Sequence, residues 1–152
     1  MKRNPYKQGI YTPPHKDKYK GSTPIVYRSG LELSYMRWLD GNSSIVSWGS
    51  ESVVVPYIKP IDGKMHRYFI DFNFTIRDRS GDLHKFLIEV KPAKQCKPPK
   101  TKNRKNKMTI LKEQITYATN TAKWKAASEW AKKHGYKFTI VTELDIKNLK
   151  NQ

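Results

Sequence analysis

Asp71, Glu89 and Lys91 are the residues whose types and spacing could do chemistry. They stand in "FIDFNF" and "LIEVKP", two runs that read as strands. Successive strand residues point to opposite faces, so Glu89 and Lys91 share one face. If the two runs pair as a hairpin, Asp71 lies directly across from Glu89, with Cβ atoms roughly 4.5–5.5 Å apart. Two adjacent carboxylates repel, and burying them is costly unless a proton or cation intervenes. A divalent metal answers that cost. Carboxylate oxygens are the hard ligands Mg2+ prefers, with water and substrate phosphate completing its shell, and Mn2+ can substitute. The backbone carbonyl of Val90, between the two acids, is a further candidate ligand. Lys91 would orient or deprotonate an attacking water, or stabilise a pentavalent phosphate. Such a set suits phosphodiester hydrolysis.

The elements that must hold these residues follow from the pattern around them. "YRSGLELSYMRWLD" reads as an amphipathic helix with Ser29 as N-cap and Leu31, Tyr35, Trp38 and Leu39 as its apolar stripe, ending at "GNS", residues 41–43. "SVVVPYIKPIDGKMHRYFIDFNFTI" holds two strand-like runs around Asp62-Gly63, a hairpin signal. A two-residue turn there sets Val53, Val55 and Tyr57 against Phe72, Ile70 and Tyr68. A three-residue loop at Arg79–Gly81 then pairs Phe72 with Ile88, Phe74 with Phe86 and Ile70 with Val90. Val54, Ile58, Phe69 and Leu87 fall on the face of Asp71 and Glu89, which predicts that this face is covered. Residues 92–107 carry seven Lys or Arg and three Pro, and read as a solvated or flexible loop. A helix is expected from about Thr109 to His134, with an interruption near Asn120, capped by Gly135. "YKFTIV" is a strand, parallel to its predecessor because a helix crosses between them. Thr142 opens a last short helix. The result is a single α/β domain with a central mixed sheet flanked by helices, spanning residues 23–152 behind a basic arm at residues 1–22.

Thirty Lys and Arg against thirteen Asp and Glu give a formal net charge of +17. Such a charge selects polyanionic partners, double-stranded DNA foremost. No stretch approaches the roughly 18 apolar residues of a membrane span, and the start has no apolar secretory core, so no membrane role is expected. Cys96 is the single cysteine, which suits a reducing compartment. The four His have no zinc-ligand spacing. Lys94, Lys97, Lys100, Lys102, Arg104, Lys105 and Lys107 follow the candidate catalytic lysine and are candidate DNA-backbone contacts, though a solvated charge run would look the same. Arg28 and Arg67 flank the site elements and could hold phosphate; Arg67 could equally pair with a carboxylate. The four Trp read as core.

"FID" at 69–71, seventeen intervening residues and "EVK" at 89–91 resemble the PD-(D/E)xK nuclease signature, with Ile70 where the name-giving Pro would stand. The resemblance implies a restriction-endonuclease-like fold, metal ligation by Asp71 and Glu89, and Lys91 as the catalytic lysine. It also implies a glutamate on the first helix as a further ligand, the place of Glu32. Glu32 has a second reading, because Ser29 and Glu32 have the spacing of a capping box. "YRSGLELSYMRWLD", "DGKMHRYFIDF", "IEVKP" and "AKWKAASEWAKKHGYKFTIVTE" are similar to the head-completion proteins of contractile-tailed phages, which are similar in turn to the endonuclease subunit of two-protein cut-and-paste transposases. The resemblance implies a protein made in the host cytoplasm and carried in the virion, working with portal or neck proteins at the portal vertex on the packaged genome. Duplex cleavage by such nucleases often uses two protomers, so a dimer on DNA is one expected arrangement. A strand E-x-K alone is more often a solvated salt bridge. Against the endonuclease stands a non-enzymatic protein that binds DNA and portal with a vestigial site; the intact Asp71, Glu89 and Lys91 favour the enzyme.

Overall fold

Ser29 Oγ accepts a hydrogen bond from the Glu32 N–H (3.1 Å) and so starts helix α1, Gly30–Gly41. The structure, a computed structural model, describes residues 8–101 and 106–150. Two short strands, β1 (Gly9–Tyr11) and β2 (Ile25–Tyr27), pair before α1. After it the central sheet begins with β3 (Ile45–Ser50). A hairpin of β4 (Val54–Ile58) and β5 (Met65–Phe69) follows, then β6 (Phe72–Arg77) and β7 (Leu83–Val90). Helix α2 (Lys107–His134) crosses to β8 (Tyr136–Val141), and α3 (Glu143–Lys150) closes the described chain. The central sheet has the order β3-β6-β7-β8. Its first three strands are antiparallel, and β8 runs parallel to β7, as expected for a helical crossover.

Side-chain alternation along β7 builds two apolar layers. Ile88 and Val90 point to the side of α1 and α3, among Tyr35, Met36, Leu39, Trp48, Phe72 and Ile146. Leu87 points the other way, with Val55, Tyr57, Tyr68, Ile70, Ala127 and Ala131. The β6–β7 register holds Phe72 against Ile88 and Phe74 against Phe86. Its loop is the three-residue one, closed by Asp78 N–H to Asp82 O (2.9 Å) with Gly81 at φ +88°. All four Trp pack in these layers: Trp48 and Trp38 in the first, Trp124 and Trp130 in the second.

Several expectations are corrected. The run from residue 65 to 77 is not one strand: it breaks at residues 70–71, so Ile70 joins the α2 layer while Phe72 joins the α1 layer. The partner that draws β6 away is β3, whose "IVSWGS" has too weak an alternation to be read as a strand. The β4–β5 hairpin is shifted by two residues, pairing Val55 with Tyr68 and Tyr57 with His66. Its loop is closed by Lys59 N–H to Lys64 O (2.9 Å), with Gly63 at φ +66°. A two-residue turn would have carried the ladder through Pro60, which has no N–H to give. The shift is even, so each residue keeps its face. Val54, Ile58 and Phe69 are nevertheless exposed, because the hairpin lays only its other face on α2. Helix α2 is unbroken at Asn120 and begins at Lys107, so Lys107 belongs to a helix and not to the basic loop. Ala93–Cys96 form a 3-10 turn within that loop.

The basic arm also packs within its described part. Tyr11 and Tyr19 lie against Trp48, with ring centroids 6.2 and 4.8 Å away. Asp40, 1 % exposed, accepts from the His15 backbone N–H (3.0 Å) and from Trp48 Nε1 (3.3 Å). Lys18 Nζ donates to the carbonyls of Asp40 and Asn42 (2.8 and 2.7 Å), meeting the free carbonyls at the end of α1. The apolar reading of α1 had no place for this buried acid. Lys2, Arg3 and Lys7 of the arm, and Lys102, Arg104 and Lys105 of the basic loop, lie outside the described residues.

Removing the Asp40 carboxylate leaves the buried Trp48 Nε1 without an acceptor, worth about 1–3 kcal/mol, and also releases the exposed His15 from the end of α1. Asp40→Ala is expected to lower the unfolding free energy by about 3 kcal/mol, measured by urea denaturation. A loss below about 1 kcal/mol would mean the arm is not fastened there.

Candidate active site

The break between β5 and β6 is where the acids meet. Ile70 N–H still donates to Val53 O (3.0 Å), but one residue on, Asp71 O accepts from the Glu51 N–H (3.1 Å), and Phe72 then pairs with Ser50. Asp71 thus stands between two sheets. Its Oδ2 accepts the Val90 N–H at 2.8 Å, a side chain taking the place of a ladder carbonyl. Glu89, on the neighbouring position of β7, is 7 % exposed. Its Oε2 accepts a hydrogen bond from the Tyr68 hydroxyl (2.5 Å), and its Oε1 lies 3.5 Å from Lys91 Nζ. Lys91 follows β7 directly and is held through its N–H to Val141 O (2.9 Å). Two residues later, Ala93 N–H donates to Glu143 Oε2 at the start of α3 (2.9 Å).

Burial, and then the charge of Glu89, raise the Asp71 carboxyl well above the ordinary carboxylate range, although the Val90 N–H pulls the other way. Tyr68 is pushed up by burial and by Glu89, so its hydroxyl stays a donor at any working pH. Glu32 is raised by burial, opposed by the Arg28 N–H and guanidinium, and raised further by Glu51 and Glu89. Arg28 feels Glu51, Glu32 and Asp71 together. These groups therefore form one electrostatic cluster in which acids outnumber enclosed cations. The cluster lacks positive charge, and a hard cation is what would supply it.

Glu32 meets both of its readings in part. Its Oε2 accepts the Arg28 N–H (2.9 Å), the return bond of a capping arrangement. It is also close enough to Asp71 and Glu89 to be felt by each. Among the described residues, however, no three His, Cys, Asp or Glu side chains are grouped closely enough to hold a metal ion. Asp71 and Glu89 stand as a pair, with Glu32 set back. Two carboxylates are what Mg2+ commonly takes from a protein, the remainder being water and substrate phosphate, so the pair fits such an ion. Arg28 is half-exposed and ion-paired with Glu51. Arg67 is exposed on the hairpin face that carries Phe69, its guanidinium 5.7 Å from that ring centroid. Lys94, Lys97 and Lys100 are exposed on the segment leaving Lys91.

Three neighbours escaped sequence reading. Tyr68 reads as one more apolar strand residue; only the packing of the β4–β5 hairpin brings its hydroxyl to Glu89. Lys123 of α2 lies over the Tyr68 and Tyr57 rings, 5.3 and 5.8 Å from their centroids. Glu51 has φ +51°, a left-handed conformation unusual for a non-glycine residue, and no pattern in the chain signals it.

The raised Asp71 makes a prediction about pH. Below the unfolded carboxylate value of about 3.9, Asp71 is protonated folded and unfolded, and costs nothing. As pH rises above it, ionisation burdens the folded state, and the burden levels off above the folded value. Asparagine keeps the acceptor for Val90 without the charge. Asp71→Asn is expected to melt a few degrees above wild type in EDTA at pH 7–8, at about 2–4 °C per kcal/mol, with the difference vanishing near pH 4. Melting curves across pH test this; a variant less stable than wild type at pH 8 would refute it.

Residues 42–143 match the family described as TnsA-like endonuclease, N-terminal. The chain is also 40 % identical over 145 residues to the head completion nuclease of Enterobacteria phage T4, an alignment covering 93 % of this chain and 94 % of the relative. Together with the mixed sheet between helices, these matches show the kind of protein this is. The chain belongs to the TnsA-like endonuclease N-terminal family and carries its restriction-endonuclease-like α/β fold.

Proposed function

We propose that this endonuclease hydrolyses DNA phosphodiester bonds with Mg2+, or Mn2+ in its place, held by Asp71, Glu89 and the Val90 carbonyl, and that it does so during phage head completion. The observation that carries the reading is the Asp71–Glu89 pair, Glu89 buried and Asp71 half-buried, with Lys91 Nζ 3.5 Å from Glu89. When bound, the ion supplies Lewis-acid polarisation of the phosphate and offsets the repulsion between the acids. Tyr68 orients Glu89 through Oε2, leaving Oε1 toward Lys91. Lys91 holds the attacking water and, as a cation, steadies charge on the phosphate. Glu32 completes the acidic wall from α1. Arg28, Arg67 and the lysines at 94, 97, 100, 102, 105 and 107, with Arg104, contact the DNA backbone in this reading, in line with the +17 charge. The similarity to a head completion nuclease supports a role in head completion; in this reading the protein works in the virion at the portal vertex, with portal or neck proteins as partners and as a dimer where both strands are cut. No helix among the described residues is long and apolar enough to cross a membrane.

Cleavage of supercoiled and linear duplex DNA with Mg2+, Mn2+ or EDTA tests the activity. Glu89→Ala and Lys91→Ala are each expected to lose at least about 100-fold in rate while binding DNA as wild type does. DNA binding without cleavage by wild-type protein would instead favour a structural protein with a vestigial site. Glu32→Gln keeps an oxygen for the Arg28 N–H but loses the charge. It should leave the melting temperature within about 2 °C and lower the cleavage rate at least tenfold; an unchanged rate would make Glu32 a cap alone.

A further inference from the structure

A cavity of about 870 Å3 opens between the segment leaving Lys91 and the first half of α2. One wall is the stretch from Ala93 to Lys100, stiffened by Pro98 and Pro99. The other wall is a single helical face carrying Lys112, Tyr117 and Asn120. Both walls connect to the residues around the acids. Ala93 is two residues past Lys91, so their Cα atoms are at most about 7.6 Å apart. Asn120 is one helical turn before Lys123, which lies over the ring of Tyr68, the residue bonded to Glu89.

The lining has the chemistry of a nucleotide site. The lining carries four lysines, Lys94, Lys97, Lys100 and Lys112, and one carboxylate, Glu113, so the rim attracts an anion. Tyr117 offers a ring on which a base can stack, and Asn120, 8 % exposed, offers an amide that can both donate to and accept from a base edge. The volume lies within the roughly 300–1,000 Å3 of ordinary ligand pockets. It admits a nucleotide or two of one strand. A duplex, whose major groove alone is about 12 Å wide, does not enter.

We propose that this cavity receives an unpaired stretch of DNA next to the scissile phosphate, so that the preferred substrate is a duplex with a single-stranded tail or fork. The inference rests on the nuclease reading and names the substrate class of that site. An acidic peptide would also match the lysines, but a ring next to a buried amide favours a base, whose flat face and polar edge use both at once.

The test is binding of the full chain, in EDTA, to two fluorescent probes: a blunt duplex and the same duplex with an oligothymidine tail. Wild type is compared with Tyr117→Ala and with Thr116→Trp, which fills the cavity from an exposed helix position. Melting curves establish that each variant folds. Wild type should bind the tailed probe about tenfold more tightly than the blunt one, the size of one base–aromatic stack. Both variants should lose that advantage while blunt-duplex affinity stays within about twofold. Equal affinity of wild type for the two probes would overturn the proposal, and so would a tail preference that survives in both variants; either would leave an acidic peptide as the occupant to try. Because the assay uses neither metal nor cleavage, a tail preference in an inactive protein would fault the nuclease reading alone. Cleavage without tail preference would fault the cavity alone.

Discussion

The hydrogen bond from the Val90 N–H to the Asp71 carboxylate (2.8 Å) is the constraint on which the rest of the site depends. At Asp71 the chain leaves the β4–β5 hairpin and joins β3: the Ile70 N–H goes to Val53 O, the Asp71 carbonyl takes the Glu51 N–H, and it is the Asp71 side chain that meets β7. In meeting it, the side chain is drawn against Glu89. A buried N–H left unpaired would cost about 1–3 kcal/mol. Seating a second carboxylate beside Glu89 satisfies that donor and creates the repulsion that a cation relieves. Fold and chemistry meet in one contact.

Everything around this contact is arranged to keep both acids enclosed. The hairpin brings Tyr68 to one oxygen of Glu89, and Lys123 covers the tyrosine ring from α2. On the opposite side of the sheet, α1 places Glu32 near the pair while spending its Oε2 on the Arg28 N–H. The two apolar layers, each built on alternate residues of β7, hold these elements in place. A pair of carboxylates set this close is held together by its surroundings and against its own charge, which is the usual relation between stability and function.

The periphery continues the same logic. The described part of the basic arm fastens the end of α1 through Asp40 and Lys18, and so steadies the helix that carries Glu32. Glu143 of α3 holds Ala93 immediately after Lys91. From there the chain runs along the cavity with α2, its lysines at the rim. An anchor just after Lys91 and a basic groove beyond it suit the guiding of a polyanion across the acids.

What the amino-acid order determined by itself was local and periodic. Ser29 and Gly135 marked helix ends because cap chemistry is local, and the β6–β7 register followed from a glycine loop flanked by alternating apolar residues. That register brought Asp71 and Glu89 together, and the spacing of Glu89 and Lys91 put both on one face. Only the tertiary structure decided where the long run at 65–77 would break, because the break depends on β3, a partner that announces itself poorly. It alone decided that Asp40 would be buried as an acceptor, that Glu51 would turn left-handed, and that Tyr68 would reach Glu89. Each of these is a meeting of groups far apart in the chain. Periodicity assigns a residue to a face, but which element covers that face is set by packing the whole domain.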